Sequence, residues 1–142
     1  MPYRVLYLGP SLPWLHDVLS AELPSGFEFV GLENGDRAEI EAKVADADFI
    51  VALKVDAALV DKMKRVKLIQ YHGVGYHGSI DVAACHVAGI PVAFTPEGNV
   101  VEVAEHVILL ILALYRQLIK VHTSLKQGTW LMWELRRDSF SL

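Results

Sequence analysis

Over its first 96 residues the chain alternates short apolar runs with stretches of helical spacing. Residues 5–8 form an apolar run that stops at Gly9-Pro10 and predicts a first strand. Residues 12–23 place apolar side chains three and four apart and end before Pro24-Ser25-Gly26, which predicts a helix. Residues 27–32 predict a second strand closed by the turn pair Asn34-Gly35. Asp36, with Glu39 three residues later, marks the start of a helix reaching about Ala45. Phe49-Ile50-Val51-Ala52 is a third strand of the buried type, and Asp56 opens a helix to Met63. Residues 66–71 predict a fourth strand, Ser79 or Asp81 a short helix ending near Ala88-Gly89, and residues 90–94 a fifth strand. From Asn99 to about Gln127 one long helical pattern runs to Gly128.

Five apolar strands alternating with helices specify an α/β fold: a parallel sheet with helices on both faces, plus a long carboxyl-terminal helix. Such sheets take ligands in the crevice beyond the carboxyl ends of their strands. The loops that matter are therefore those after Leu8, Ala52, Tyr71 and Phe94. The organisation changes at Pro96-Glu97-Gly98, which divides the chain into residues 1–96 and residues 97–142.

Composition narrows the function. The 142 residues are 53% hydrophobic with a mean hydropathy of +0.32, ample for a core. Net charge is −4 and the cationic residues are dispersed, so no face is suited to nucleic acid. One cysteine, Cys85, has no internal disulfide partner, in keeping with a reducing cytoplasm. The amino terminus is broken at once by Gly9-Pro10, unlike a signal peptide. The longest apolar run, residues 107–115, is far short of the roughly 20 residues of a membrane span. It instead predicts a buried helix or a subunit interface.

Gly73-Val74-Gly75-Tyr76-His77-Gly78 satisfies G-x-G-x-x-G letter for letter, follows a strand, precedes a helix and has Glu97 about 20 residues on. Its mechanics differ from those of a dinucleotide loop. There the helix opens on the glycines and turns its amino terminus toward the pyrophosphate. Here the helix caps, Ser79 and Asp81, come after the third glycine, and Glu97 lies in a turn-like Pro96-Glu97-Gly98 context. An extended glycine loop with backbone N–H groups open to an anion is the better description, since such loops hold carboxylates as readily as phosphates.

The run Lys67-Leu68-Ile69-Gln70-Tyr71-His72-Gly73-Val74-Gly75-Tyr76-His77-Gly78-Ser79-Ile80-Asp81 resembles the strand and loop of D-2-hydroxyacid dehydrogenases, which include phosphoglycerate, glycerate and formate dehydrogenases. Gly89-Ile90-Pro91-Val92, Thr95-Pro96, Gly98-Asn99-Val100-Val101-Glu102-Val103-Ala104-Glu105-His106 and Trp130 continue the resemblance in order. It is strong over residues 67–130 and extends weakly to residue 1.

The resemblance implies a flavodoxin-like substrate domain, hydride transfer between a small 2-hydroxy or 2-oxo acid and NAD or NADP, and a homodimer built on the helix 99–127. It implies that the N–H groups of Val74 and Gly75, after Gly73, hold the substrate carboxylate, and that Asn99 lines the substrate pocket. Leu53-Lys54 stands where relatives often carry an Arg-Ser pair; Lys54 retains a charge for an anionic tail, but the departure puts phosphoglycerate as substrate in doubt. In the family the cofactor loop and the catalytic arginine, glutamate and histidine lie beyond the long helix. No catalytic residue, no cofactor site and no turnover are therefore expected of residues 1–142 alone. A truncated, catalytically silent dimerising module is the alternative. A receiver domain of the same strand order lacks its acidic residues, because Gly9-Pro10-Ser11 and Leu53-Lys54 occupy those positions.

The remaining polar residues read as structural. His72 and His77 flank the loop and are expected to bond backbone carbonyls. Glu105 and His106 point about 100° apart on a helix, so they are expected in packing rather than as a pair. His16, His86 and His122 lack metal-ligand spacing. Cys85 reads as a small buried hydrophobe, and Trp130 and Trp133 as packing against a partner or a further domain. Asn99 also reads as the cap of its helix, with Glu102 completing a capping box.

Overall fold

A computed structural model of the chain describes residues 1–138. It contains two compact units, one of Met1–Gly98 and one from Asn99 onward. In the first unit five strands, β1 (Tyr3–Leu8), β2 (Phe27–Val30), β3 (Phe49–Ala52), β4 (Leu68–Tyr71) and β5 (Val92–Phe94), form a wholly parallel sheet in the order β2-β1-β3-β4-β5. This is the flavodoxin-like order, with its switch point at β1. Helices α1 (Pro13–Ala21), α2 (Arg37–Val44), α3 (Ala57–Val60) and α4 (Val82–Val87) fill the crossovers. Right-handed crossovers that reverse direction at β1 put α1 on one face and α2, α3 and α4 on the other.

The two faces are unequally covered. Leu6, Ile50, Ala52, Ile69 and Tyr71 pack with Val44, Leu59, Val60, Ile80 and Cys85 in one buried cluster under α2–α4. On the opposite face α1 buries no residue, and an aromatic row stands in for a second layer. Tyr7 sits there within ring contact of His16, Phe29 and His72, and is 1% exposed.

The predicted caps form as chemistry requires. The carboxylates of Asp36, Asp56 and Asp81 accept the N–H groups of Glu39, Leu59 and Ala84, each three residues on. Gly89 ends α4 at φ 70°. Glu39 does not complete a capping box. Its carboxylate reaches back to three successive backbone N–H groups, those of Glu33, Asn34 and Gly35. Helix α3 is shorter than expected, ending at Val60, and β5 starts at Val92.

One organising residue had no signature in the sequence. Asp48, 2% exposed, donates its backbone N–H to the Arg4 carbonyl, and its own carbonyl accepts from the Lys67 N–H. Its carboxylate accepts from the Arg4 N–H and from Arg65, which hold it below the usual carboxylate range. This joins the amino-terminal ends of β1, β3 and β4.

In the second unit the expected single helix over residues 99–127 is two helices, α5 (Val100–Tyr115) and α6 (Leu118–Lys126). Between them Gln117 takes the left-handed conformation, φ 48° and ψ 43°, and its N–H bonds the Leu114 carbonyl. That bond is half of a Schellman stop, normally marked by glycine, so the sequence shows no break. The marked stop at Gly128 forms in full, with Gly128 bonded to Leu125 and Thr129 to Ser124. A further helix, α7 (Met132–Asp138), was not expected.

Candidate functional site

The site is built where β3 and β4 end. The His72 N–H bonds the Ala52 carbonyl, continuing the ladder one residue past the strands. Beyond it the two loops are stitched together: Val55 donates to the Ser79 carbonyl and Asp81 to the Val55 carbonyl, both at 2.9 Å. Val55 and Ile80 form this bridge and are both buried. Lys54 and the Gly73–Gly78 loop are therefore carried on one braced platform.

Within that loop the carbonyl side is anchored and the N–H side is not. The Gly73 carbonyl accepts from Thr95, whose hydroxyl accepts from Gln70, and the Tyr76 carbonyl accepts from Ser79 and Ile80. Tyr76 lays its ring against Phe94 and the core. A Cβ on Gly73 would lie 2.9 Å from the Tyr71 ring, so the loop passes over that tyrosine only as glycine. No residue from Gly73 to Gly78 donates its backbone N–H to another described residue. Val74 and Gly75 are exposed. Exposed backbone donors without an internal acceptor are free to bond water or a ligand, and a short run of them is suited to an anion.

The same loop does not fit a dinucleotide. Helix α4 starts at Val82, and its first turn is capped by the Asp81 carboxylate, which accepts from Ala84. The helix terminus that would face a pyrophosphate already carries an anion and lies beyond the glycines.

The other expected residues fall out as follows. Lys54 has no ion pair within 4 Å among the described residues, while its neighbour Asp56 is held by both Nη atoms of Arg37. Asn99 belongs to the second unit and occupies the cap position of α5, but its side chain makes no capping bond. The expected box with Glu102 does not form there. Its conformation, φ −149° and ψ 26°, is not the extended one that aims a cap side chain at the first turn. His72 and His77 rest on the rings of Tyr7 and Tyr76 rather than on carbonyls. Glu105 and His106 are exposed, not packed. Cys85 is fully buried, and burial pushes its thiol pKa up. No group of three metal-ligating side chains occurs among the described residues, and none of their helices is long and apolar enough to cross a membrane.

The loop after Leu8, also expected at the crevice, borders a second feature. A cleft of about 300 Å³ lies past the ends of β1 and β2, lined by Gly9, Pro10, Ser11, Leu32, Asn34 and Gly35 among others. Tyr7 reaches up beneath Gly9, and burial raises its hydroxyl pKa.

A wholly parallel five-stranded sheet with an open amide loop past its fourth strand defines an α/β domain of the doubly wound class. The family profile described as D-isomer specific 2-hydroxyacid dehydrogenase, catalytic domain, matches residues 15–134, and the chain belongs to that family. It is 32% identical to a formate dehydrogenase of Pichia angusta over 116 residues, 78% of this chain and 32% of that one. It is 32% identical to a D-3-phosphoglycerate dehydrogenase of Mycobacterium bovis over 124 residues, 85% of this chain and 22% of that one. Among solved structures it is similar to an NADPH-dependent glyoxylate/hydroxypyruvate reductase of Sinorhizobium meliloti in complex with NADP and malonate. The TM-score is 0.73 and the identity 32%, covering 100% of this chain and 42% of that one. The chain thus spans less than half the length of these relatives.

Proposed function

We propose that the chain is the acid-gripping part of an NAD(P)-dependent oxidoreductase acting on the CH–OH of a D-2-hydroxy acid. In this reading the N–H groups of Val74 and Gly75 hold the carboxylate, with Gly73 letting the backbone come close. Lys54, on the adjoining loop, draws an anionic tail, and Asn99 presents its amide to the substrate. Fixing the carboxylate orients the α-carbon toward a hydride acceptor, which is the positioning part of catalysis. The nicotinamide supplies that acceptor. Residues 73–78 do not fit its pyrophosphate, so the reading gives cofactor and proton transfer to residues other than these.

The observation that carries this reading is the run of unspent N–H groups from Gly73 to Gly78. The malonate bound to the reductase relative supports a small carboxylate as the ligand class. The test is a titration of the ¹⁵N-labelled chain with malonate and with glyoxylate, malonamide being the uncharged control. Both acids should shift the Val74 and Gly75 amides. Gly75→Pro, which removes a donor, should abolish the effect. Gly75→Ala, whose Cβ meets nothing within 4 Å, should retain it. Shifts confined to other residues, or equal shifts with malonamide, would refute the reading.

A second reading, a silent dimerising module, draws on α5. Ile108, Leu109, Leu110 and Leu114 are all at least half exposed, and Leu114 is 76% exposed. Apolar surface in that quantity favours a partner, and we propose a second copy of the chain. Association through α5 and α6 accords with either reading.

A further inference from the structure

The turn pair Asn34-Gly35 serves the fold but has no part in acid binding. Both residues are exposed, and both line the 300 Å³ cleft past β1 and β2. Gly35 sits at φ 70°, carries no side chain of its own to crowd the attack, and has nothing within 4 Å of where a Cβ would be. We propose that Asn34 is a deamidation site, and that the Glu39 carboxylate holds the reaction back in the folded chain. The inference is independent of the proposed dehydrogenase activity.

The chemistry is internal and needs only water. The Gly35 nitrogen gives up its proton and attacks Cγ of Asn34. An N–Cγ bond forms, the Cγ–NH2 bond breaks, and ammonia leaves with the balancing proton. The resulting succinimide takes up one water at either carbonyl, opening to aspartate or isoaspartate. Nothing is oxidised or reduced.

Glu39 controls the first step. Its Oε2 accepts from the Gly35 N–H at 2.8 Å and the Asn34 N–H at 2.9 Å, and its Oε1 accepts from the Glu33 N–H and from Lys43 Nζ, both at 2.7 Å. The nitrogen that must lose its proton therefore donates that same proton to an anion. Deprotonating it breaks a charged hydrogen bond and sets an amide anion beside a carboxylate, and like charge disfavours ionisation. Product formation would undo the same arrangement. Aspartate at 34 adds a charge among Glu33, Asp36 and Glu39, while isoaspartate lengthens the backbone between amides that now converge on one carboxylate. Either product would reshape the lip of the cleft.

The test compares rates at neutral pH in the chain and in a synthetic peptide of residues 30–40. Peptide mapping resolves aspartate from isoaspartate, and isoaspartyl methyltransferase labelling counts the latter. The folded chain should react about tenfold more slowly than the peptide, the factor that loss of one charged hydrogen bond produces. Glu39→Gln should bring the folded chain close to the peptide rate. Lys43→Gln, which leaves the carboxylate on the Gly35 N–H, should stay slow. A wild-type rate equal to the peptide's would overturn the proposal. So would a Glu39→Gln chain, folded by circular dichroism, that reacts no faster than wild type. Equal acceleration in Lys43→Gln would assign the rate to loop order instead and overturn the role of Glu39. Should Glu39→Gln fail to fold, the comparison of wild type with peptide decides alone.

Discussion

Gly9, just past the end of β1, has no room for a side chain. A Cβ placed there would lie 2.6 Å from Cε1 of Tyr7 and closer still to Cζ and Oη. Carbon atoms in good contact sit roughly 3.5–4.0 Å apart, so the ring tip must retreat by well over ~1 Å. Tyr7 is 1% exposed and is boxed by His16, Phe29 and His72, with ring centroids 6.1, 6.5 and 5.8 Å away. These three neighbours restrict the ring's retreat. Overpacking of this kind costs about 1–3 kcal/mol, and the tight enclosure argues for the upper half, about 2–3 kcal/mol. For a unit of this size that lowers the melting temperature by roughly 10 °C or more.

A double-mutant cycle isolates the cause. Gly9→Ala should cost about 2–3 kcal/mol alone and under about 0.5 kcal/mol in a Tyr7→Leu background, where the ring is gone. Urea unfolding followed by circular dichroism gives the four midpoints, with unchanged m-values showing that the same transition is compared. An equal cost in both backgrounds would show that Gly9 is needed for its backbone and not for the space above Tyr7. A cost under about 0.5 kcal/mol in the wild-type background would refute the enclosure itself.

Two further outcomes follow from particular groups. Lys43, together with the N–H groups of Glu33, Gly35 and Asn34, lowers the Glu39 pKa from its ordinary 4.5 to about 2. A carboxyl depressed by folding stabilises fully above its unfolded value and loses that contribution as pH falls through the folded one. The stability difference between wild type and Glu39→Gln should hold at pH 7, shrink as the pH falls from 4.5 and vanish near 2; a constant difference across that range would contradict the assigned cause. Sedimentation should show a concentration-dependent dimer that Leu114→Glu dissociates, and a wild-type chain monomeric at all concentrations would remove α5 as a self-association surface.

Most of the fold was legible because its signals are local. Strand–helix alternation, aspartate caps and glycine stops each depend on a few neighbouring residues, and Asp36, Asp56, Asp81, Gly89 and Gly128 act as their types predict. What escaped depends on partners distant in sequence or on conformations without a residue signature. Asp48 joins Arg4 and Arg65 across 44 and 17 residues, which no local pattern shows. The break at Gln117 uses a left-handed residue that is neither glycine nor asparagine. Asn99 shows the converse, a favourable cap type in a backbone conformation where its side chain does not cap. For the site, the loop was legible from its glycines, but the bridge that braces it through Val55 and Ile80 was not, since neither residue type implies pairing.

The motif Gly73–Gly78 shows why a string of glycines underdetermines what it binds. In a dinucleotide loop the glycines bring the backbone close and a helix supplies the field, so the pair together suits a doubly charged pyrophosphate. Here the two parts are separated. The helix begins after Asp81, which spends its carboxylate on the Ala84 N–H and so answers the helix's positive end from within. The glycines keep their close approach and their open N–H groups, but without a helix terminus behind them the attraction they offer is weaker and shorter in range. A ligand with one compact charge suits that better than one with two. The substrate expected of this family, a small acid held by its carboxylate, carries such a charge. In the proposed reading the same six letters serve the acid rather than the cofactor, and the difference lies in Asp81, just outside the motif.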